Sequence, residues 1–209
     1  MIPRFCFLVC LYFVPCATNV AAQDGYRAAT AQETAEVKKK IEAASTAMKT
    51  LHCDFEQTKT ITILAEKMIS TGFMTYQQPD VVHWEYVTPY HYVFAMTGSK
   101  VSIESGGRKD EIDVNSSKLF KEISAIIVSG INGHDIFNET RFSASYMTGK
   151  AGFLAILTPK QKAVKQMFQE VRLFFDPADN TVFMVNIAEA SGDHTVIRMK
   201  NRKINSITN

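Results

Sequence analysis

The sequence predicts a mainly β chain of the α+β class: a curved antiparallel sheet with one face under two helices. Three observations carry this. Short segments with apolar residues at alternate positions recur from His52 to Lys200, separated by turn-forming residues. The segments after Thr30 and Ser116 instead repeat their apolar residues every three to four positions. The C-terminal half shows no helical segment that would make parallel crossovers, so its strands are expected to be antiparallel, in a meander.

The first residues read as a targeting segment. Arg4 supplies a short positive start, Phe5 to Val14 an apolar stretch too short to span a membrane, and Val20-Ala21-Ala22 a small-residue cleavage site. A signal peptide over 1–22 is expected, leaving residues 23–209 as one domain. A retained N-terminal anchor is one rival. Lipidation of Cys16 is another, although Phe13-Val14-Pro15 lacks the Leu and small residues of a lipidation motif. Cys6, Cys10 and Cys16 all fall in this segment. The remaining Cys53 has no partner for an internal disulfide, so the exported fold must rest on its core. Within an alternating strand Cys53 reads as a small buried apolar residue rather than a nucleophile.

Residues 23–31 are expected to be a mobile leader. Thr30 and Glu33 have capping-box spacing, and a helix is expected to about Thr50, with Val37, Ile41, Ala44, Met48 and Leu51 on one stripe. Glu36, Lys38, Lys39 and Lys40 read as its solvated face. A strand over His52–Ile63 should point Cys53, Phe55, Ile61 and Ile63 to one side. A second, Met68–Tyr76, contains Gly72, which marks a bend or bulge that curves the sheet. Two aromatic strands meet at Thr88-Pro89, with Val82, Trp84 and Tyr86 on one face of the first and Tyr90, Tyr92, Phe94 and Met96 on one face of the second. Such a concentration of rings is either a heavy core or the wall of an apolar pocket.

Lys100–Glu104 and Glu111–Val114 are short strands around the turn at Gly106-Gly107. Ser116 to Gly130 then reads as a strongly apolar helix, with Leu119, Phe120, Ile123, Ile126 and Ile127 as its stripe and Gly130 as its left-handed stop. It has to cover something, and the sheet is the available surface. Strands over Arg141–Met147, Gly152–Leu157, Gln169–Asp176, Thr181–Glu189 and Thr195–Lys200 complete the chain.

A formal net charge of +2 argues against a nucleic-acid binder. His52, His83, His91, His134 and His194 lack metal-ligand spacing, and His83 and His91 read as exposed strand positions flanking the aromatic corner. No nucleophile elbow, phosphate-cradling loop or His-Glu-x-x-His occurs. Ser191-Gly192-Asp193-His194 has triad residue types, but adjacent hairpin residues diverge, so it reads as a turn. Nothing argues for an enzyme, a metal or a cofactor. A curved sheet with bulky apolar side chains and an apolar cover can enclose a pocket for an apolar ligand.

The order of motifs resembles the LolA family of periplasmic outer-membrane lipoprotein carriers. A helix runs into a strand carrying Asp54-Phe55-Glu56-Gln57-Thr58, similar to the family's Phe-x-Gln opening. Gly72 through Pro79 to Trp84, Pro89 to Gly98, Leu157-Thr158-Pro159-Lys160 and Gly192-Asp193-x-Thr195 follow at family-like spacing. The likeness covers most of residues 32–205. It implies an unclosed β-barrel with helices plugging its concave face. The cavity between them would take lipoprotein acyl chains from an inner-membrane ABC exporter and pass them to an outer-membrane acceptor.

By position, the resemblance implies that Met74, Tyr76, Val82 and Trp84 face the cavity, joined by Tyr92 and Phe94 and, under the helical cover, by Ile123, Ile126 and Ile127. Each is equally consistent with ordinary core packing. Where the family often has an Arg that holds the cover, this chain has Gln78, whose neutral amide is expected to hold it more loosely. The chain also ends at Asn209 without the longer tail of typical carriers. A monomeric periplasmic carrier of acylated cargo is therefore expected. A carrier of a non-protein envelope lipid, an anchored acceptor or sensor on the same scaffold, and a periplasmic hydrolase are the alternatives.

Overall fold

The computed structural model describes residues 25–116, 118–133 and 136–206, without the side chains of 118–120, 122 and 123. The expected signal peptide, with Cys16, lies outside the described residues, as do His134 and the side chain of Ile123. The elements in chain order are β1 (Tyr26–Ala28), α1 (Ala31–Ala47), β2 (Thr50–Ile61), β3 (Glu66–Gln77), β4 (Val81–Thr88), β5 (Tyr92–Thr97), β6 (Lys100–Ser105), β7 (Arg108–Asp113), α2 (Lys118–Asn132), β8 (Phe142–Gly149), β9 (Gly152–Pro159), the single turn α3 (Lys162–Lys165), β10 (Phe168–Phe175), β11 (Val182–Glu189) and β12 (His194–Ile204).

The twelve strands form one antiparallel sheet in the order β1-β8-β9-β10-β11-β12-β2-β3-β4-β5-β6-β7. Two meanders, β2 to β7 and β8 to β12, are joined where the last strand returns to pair with β2, from His194 opposite Thr60 to Ile204 opposite Leu51. β1 and β7 stand at opposite edges, so the barrel is not closed. The β7 edge carries Arg108-Lys109-Asp110-Glu111, charges that discourage a foreign strand from adding on.

α1 starts as its sequence dictates. Thr30 Oγ1 accepts from Glu33 N at 3.2 Å and the Glu33 carboxylate accepts from Thr30 N at 2.9 Å. Arg27 grips the same carboxylate at 2.5 Å and 2.9 Å. These bonds, Arg27 first, hold the Glu33 carboxyl down at about 2. Ile41, Met48 and Leu51 bury the apolar stripe in the main core. Lys39 and Lys40 are exposed, whereas Lys38 lies over the rings of Phe137 and Tyr146, at 5.0 Å and 4.6 Å from their centroids.

Gly72 is required by a close approach. A Cβ there would sit 1.8 Å from the Glu85 carbonyl oxygen, at the point where the β3–β4 register slips between Thr71 and Gly72. The bulge lets Phe55, which pairs with Gly72 across the sheet, fold its ring over the glycine toward Trp84 and Tyr86.

Four expectations are corrected. Residues 23–31 are not a mobile leader throughout: Tyr26 is buried against Phe174 and β1 pairs with β8, a strand too short to show a period. Ile61 and Ile63 do not reach the core, because the β2–β3 hairpin overshoots its neighbours and leaves Ile63 90 % exposed. Tyr90 sits in the β4–β5 corner, 78 % exposed, rather than on a strand face. Gly130 lies inside α2; the left-handed residue after the helix is Gly133, at φ 76° and packed on Ile41 and Phe175.

Candidate apolar cavity beneath α2

α2 separates two hollows. On one flank Ser124, Ala125, Val128 and Ser129 line a cleft of about 220 Å³ with Asp80, Met96, Gly98 and Arg141, a lining that mixes apolar and polar side chains. On the other, Ile126, Ile127, Gly130 and Ile131 roof an apolar cavity of about 170 Å³. Its floor is built by strand alternation, with Val171 and Leu173 from β10, Val185 and Ile187 from β11, and Ile197 and Met199 from β12, and by Phe168, which joins them across the register shift at the start of β10. Trp84 of β4 closes the far side. β10 and β4 are five places apart in the sheet, so one cavity between them requires the sheet to bend around α2. Among the described residues no charged side chain lines it. The indole N–H of Trp84 meets no acceptor among the described residues.

Trp84, Ile126 and Ile127, expected from sequence, line this cavity together. Met74, Tyr76 and Val82 do not: each is at most 2 % exposed in the packed core. Alternation places them on the face that Trp84 shares, but they lie nearer the α2 C-terminus, where α1 and α2 fill the space. Tyr92 and Phe94 are half-buried beside the cavity wall. Tyr92 sets its ring edge-on to Tyr86 at 5.5 Å, and Phe94 stands opposite Trp84. The aromatic strands are thus mostly filled core, bounded by a cavity at Trp84. Burial pushes the Tyr86 hydroxyl up to about 12, and it donates to Gln57 Oε1 at 2.9 Å.

Gln78 bonds to Lys49, accepting from its Nζ at 2.8 Å and donating its backbone N–H to the Lys49 carbonyl. The cover is held instead from two residues earlier. Asn132 Nδ2, at the end of α2, donates to Tyr76 Oη at 2.9 Å, and Tyr76 Oη donates to the Pro79 carbonyl at 3.1 Å. This chain ties the roof to the β3–β4 turn.

Among the described residues, Cys53, Glu85 and Asp193 do not line this cavity. Burial raises the Cys53 thiol to about 12, which leaves it protonated and unreactive. Glu85 accepts from the ring nitrogens of His83 and His91 at 3.1 Å and 3.0 Å, and these bonds lower its pKa. Asp193 of the β11–β12 turn accepts from Thr62 N of the β2–β3 hairpin at 3.0 Å.

Phe168, Val171, Leu173, Val185, Ile187, Ile197 and Met199 are cavity residues not expected from sequence. All but Phe168, which a register shift sets beside them, alternate along their strands, but which strands lie under α2 depends on the return of β12 to β2, a pairing between distant segments.

Solved structures with a similar course include an outer membrane lipoprotein-sorting protein domain from Vibrio parahaemolyticus (9 % identity, TM-score 0.44, covering 83 % of this chain and 93 % of that one). A LolA superfamily protein from Nitrosomonas europaea (9 %, 0.42, 87 % and 96 %) and the lipoprotein LppX from Mycobacterium tuberculosis (10 %, 0.46, 86 % and 99 %) are others. No curated protein matches the sequence significantly. The profile of the outer membrane lipoprotein carrier protein LolA family matches residues 46–208, more than half of the chain, and the chain belongs to that family.

Proposed function

We propose that the protein is a periplasmic carrier that shelters the acyl chains of lipoproteins beneath α2 while they cross water between the inner and outer membranes. The observation that carries this is the uncharged cavity between α2, Trp84 and β10–β12. Each methylene moved from water into apolar surroundings is worth about 0.8 kcal/mol. A lipoprotein therefore leaves a bilayer only if a carrier replaces that contact, and the cavity offers an apolar wall to do so. The reading needs no chemistry on the cargo. Export through a cleaved signal peptide over residues 1–22, an ABC exporter as donor and an outer-membrane acceptor complete it, in line with family membership.

The cavity is small in the closed form. A dry cavity of about 150 Å³ takes up one benzene, so 170 Å³ holds only a segment of an acyl chain. Loading must lift α2 from the sheet, with the Tyr76–Asn132 bond as a latch. Native mass spectrometry with organic extraction, on protein purified gently from a periplasm, tests the reading. Bound lipopeptide is the expected result, and free lipid alone assigns a non-protein envelope cargo. A clean apo mass, with no uptake of offered acylated peptide, overturns the carrier reading.

A further inference from the structure

The exposed large apolar side chains among the described residues all lie at one end of the sheet. Ile63 and Leu64 form the tip of the β2–β3 hairpin, and Met68 and Ile69 begin β3. Val87 and Tyr90 are at the β4–β5 corner, which the pairing of Thr71 with Thr88 sets beside β3. Met167 immediately precedes β10. Its carbonyl accepts from Ala190 N in the β11–β12 turn, and that turn bonds to Thr62 of the hairpin tip through Gly192 and Asp193. The opposite end of the sheet exposes no such side chain among the described residues.

Two further features belong to the same end. Lys67 beside the tip and Lys162 and Lys165 of α3 make no ion pair among the described residues, while acidic Glu189 is neutralised by Lys59 at 3.0 Å. Glu66 is the one carboxylate in the hairpin tip itself. Phe168, a half-buried residue of the cavity wall, directly follows Met167, so the cavity wall emerges where the apolar side chains gather.

We propose that this end of the protein docks on an anionic phospholipid surface. Ile63 and Leu64 enter the interface, Lys67, Lys162 and Lys165 meet the headgroups, and the cavity wall at Phe168 is brought to the bilayer. Exposed apolar side chains flanked by unpaired lysines match a surface that is apolar within and negative outside. The purpose of this docking rests on the carrier reading; its test does not.

The protein is sedimented with vesicles of phosphatidylcholine alone or mixed with phosphatidylglycerol. Binding to the anionic vesicles is expected to exceed binding to the neutral ones and to weaken as salt is raised. The double variant Ile63→Ser/Leu64→Ser, at two exposed positions, should keep its unfolding midpoint and lose roughly tenfold or more of the binding. Lys162→Gln/Lys165→Gln should remove most of the preference for anionic vesicles. Failure of the wild type to bind anionic vesicles, or equal binding by the tip variant, overturns the proposal. Cross-linking of the tip to a membrane protein without vesicle binding also overturns it, in favour of protein docking. Cargo loading without vesicle binding sinks the docking surface alone, and vesicle binding without cargo loading sinks the carrier reading alone.

Discussion

Gly130 stands in the last turn of α2 on the cavity wall, and a Cβ added there would meet nothing within 4 Å. Glycine disfavours a helix by up to about 1 kcal/mol relative to alanine, so Gly130→Ala should stabilise the protein by up to that amount. Gly130→Leu sends a branched side chain into the cavity. Burying it adds roughly 1.5–3 kcal/mol to the helix gain. A fully enclosed hollow of 170 Å³ corresponds to about 4 kcal/mol of forgone packing at 24 cal/mol per Å³, which bounds what filling can return. The same side chain displaces roughly four methylenes of cargo, about 3 kcal/mol at 0.8 kcal/mol each. Acyl-chain affinity should therefore fall roughly a hundredfold. Urea unfolding gives the stability change, and titration with an acylated peptide followed by Trp84 fluorescence gives the affinity. A Leu variant at least as stable as wild type that still takes up the peptide with unchanged affinity would show that the cavity is not where the chain sits.

Removing the Tyr76 hydroxyl with Tyr76→Phe breaks the latch between β3 and the end of α2, at a net cost of about 1 kcal/mol. Amide exchange in α2 should accelerate roughly fivefold while exchange in β10–β12 changes little; equal acceleration in both regions argues against a latch. Gly72→Ala forces a methyl group into the Glu85 carbonyl, and about 3 kcal/mol or more of destabilisation is expected; an unchanged urea midpoint would contradict the close approach. Glu33 is held at about 2 in the folded state against an ordinary 4.5. A depressed carboxyl contributes stability that is present above 4.5 and lost as pH falls toward 2. The stability gap between wild type and Glu33→Gln should narrow through that window, and a constant gap would discard the Arg27–Glu33–Thr30 cluster as its cause.

Local signals carried the fold well. The Thr30–Glu33 spacing marked the α1 cap, and alternation marked most of the strands, because each depends only on residues a few positions apart. β1 escaped because three residues show no period and its pairing with β8 is distant in sequence. A glycine after an apolar stripe reads as a left-handed terminator, which puts the expected α2 stop at Gly130. The helix instead runs on to Asn132, and Gly130 leaves space on the cavity wall. Trp84, Ile126 and Ile127 were legible as bulky apolar residues, as were Met74 and Val82. Packed core and cavity wall have the same composition, so only the strand order separates the two groups. Val185, Ile187, Ile197 and Met199 alternate as clearly as the aromatic strands do. Nothing local says that α2 crosses them.

The most direct test of the central claim is to load the protein with an acylated peptide whose chain carries ¹³C and to record intermolecular NOEs. Binding beneath α2 should give contacts from the chain to the methyl groups of Ile126, Val185, Ile197 and Met199, and none to those of Met74, Val82 and Met96 in the packed core. Contacts confined to the outer surface, or to the core set alone, would contradict it.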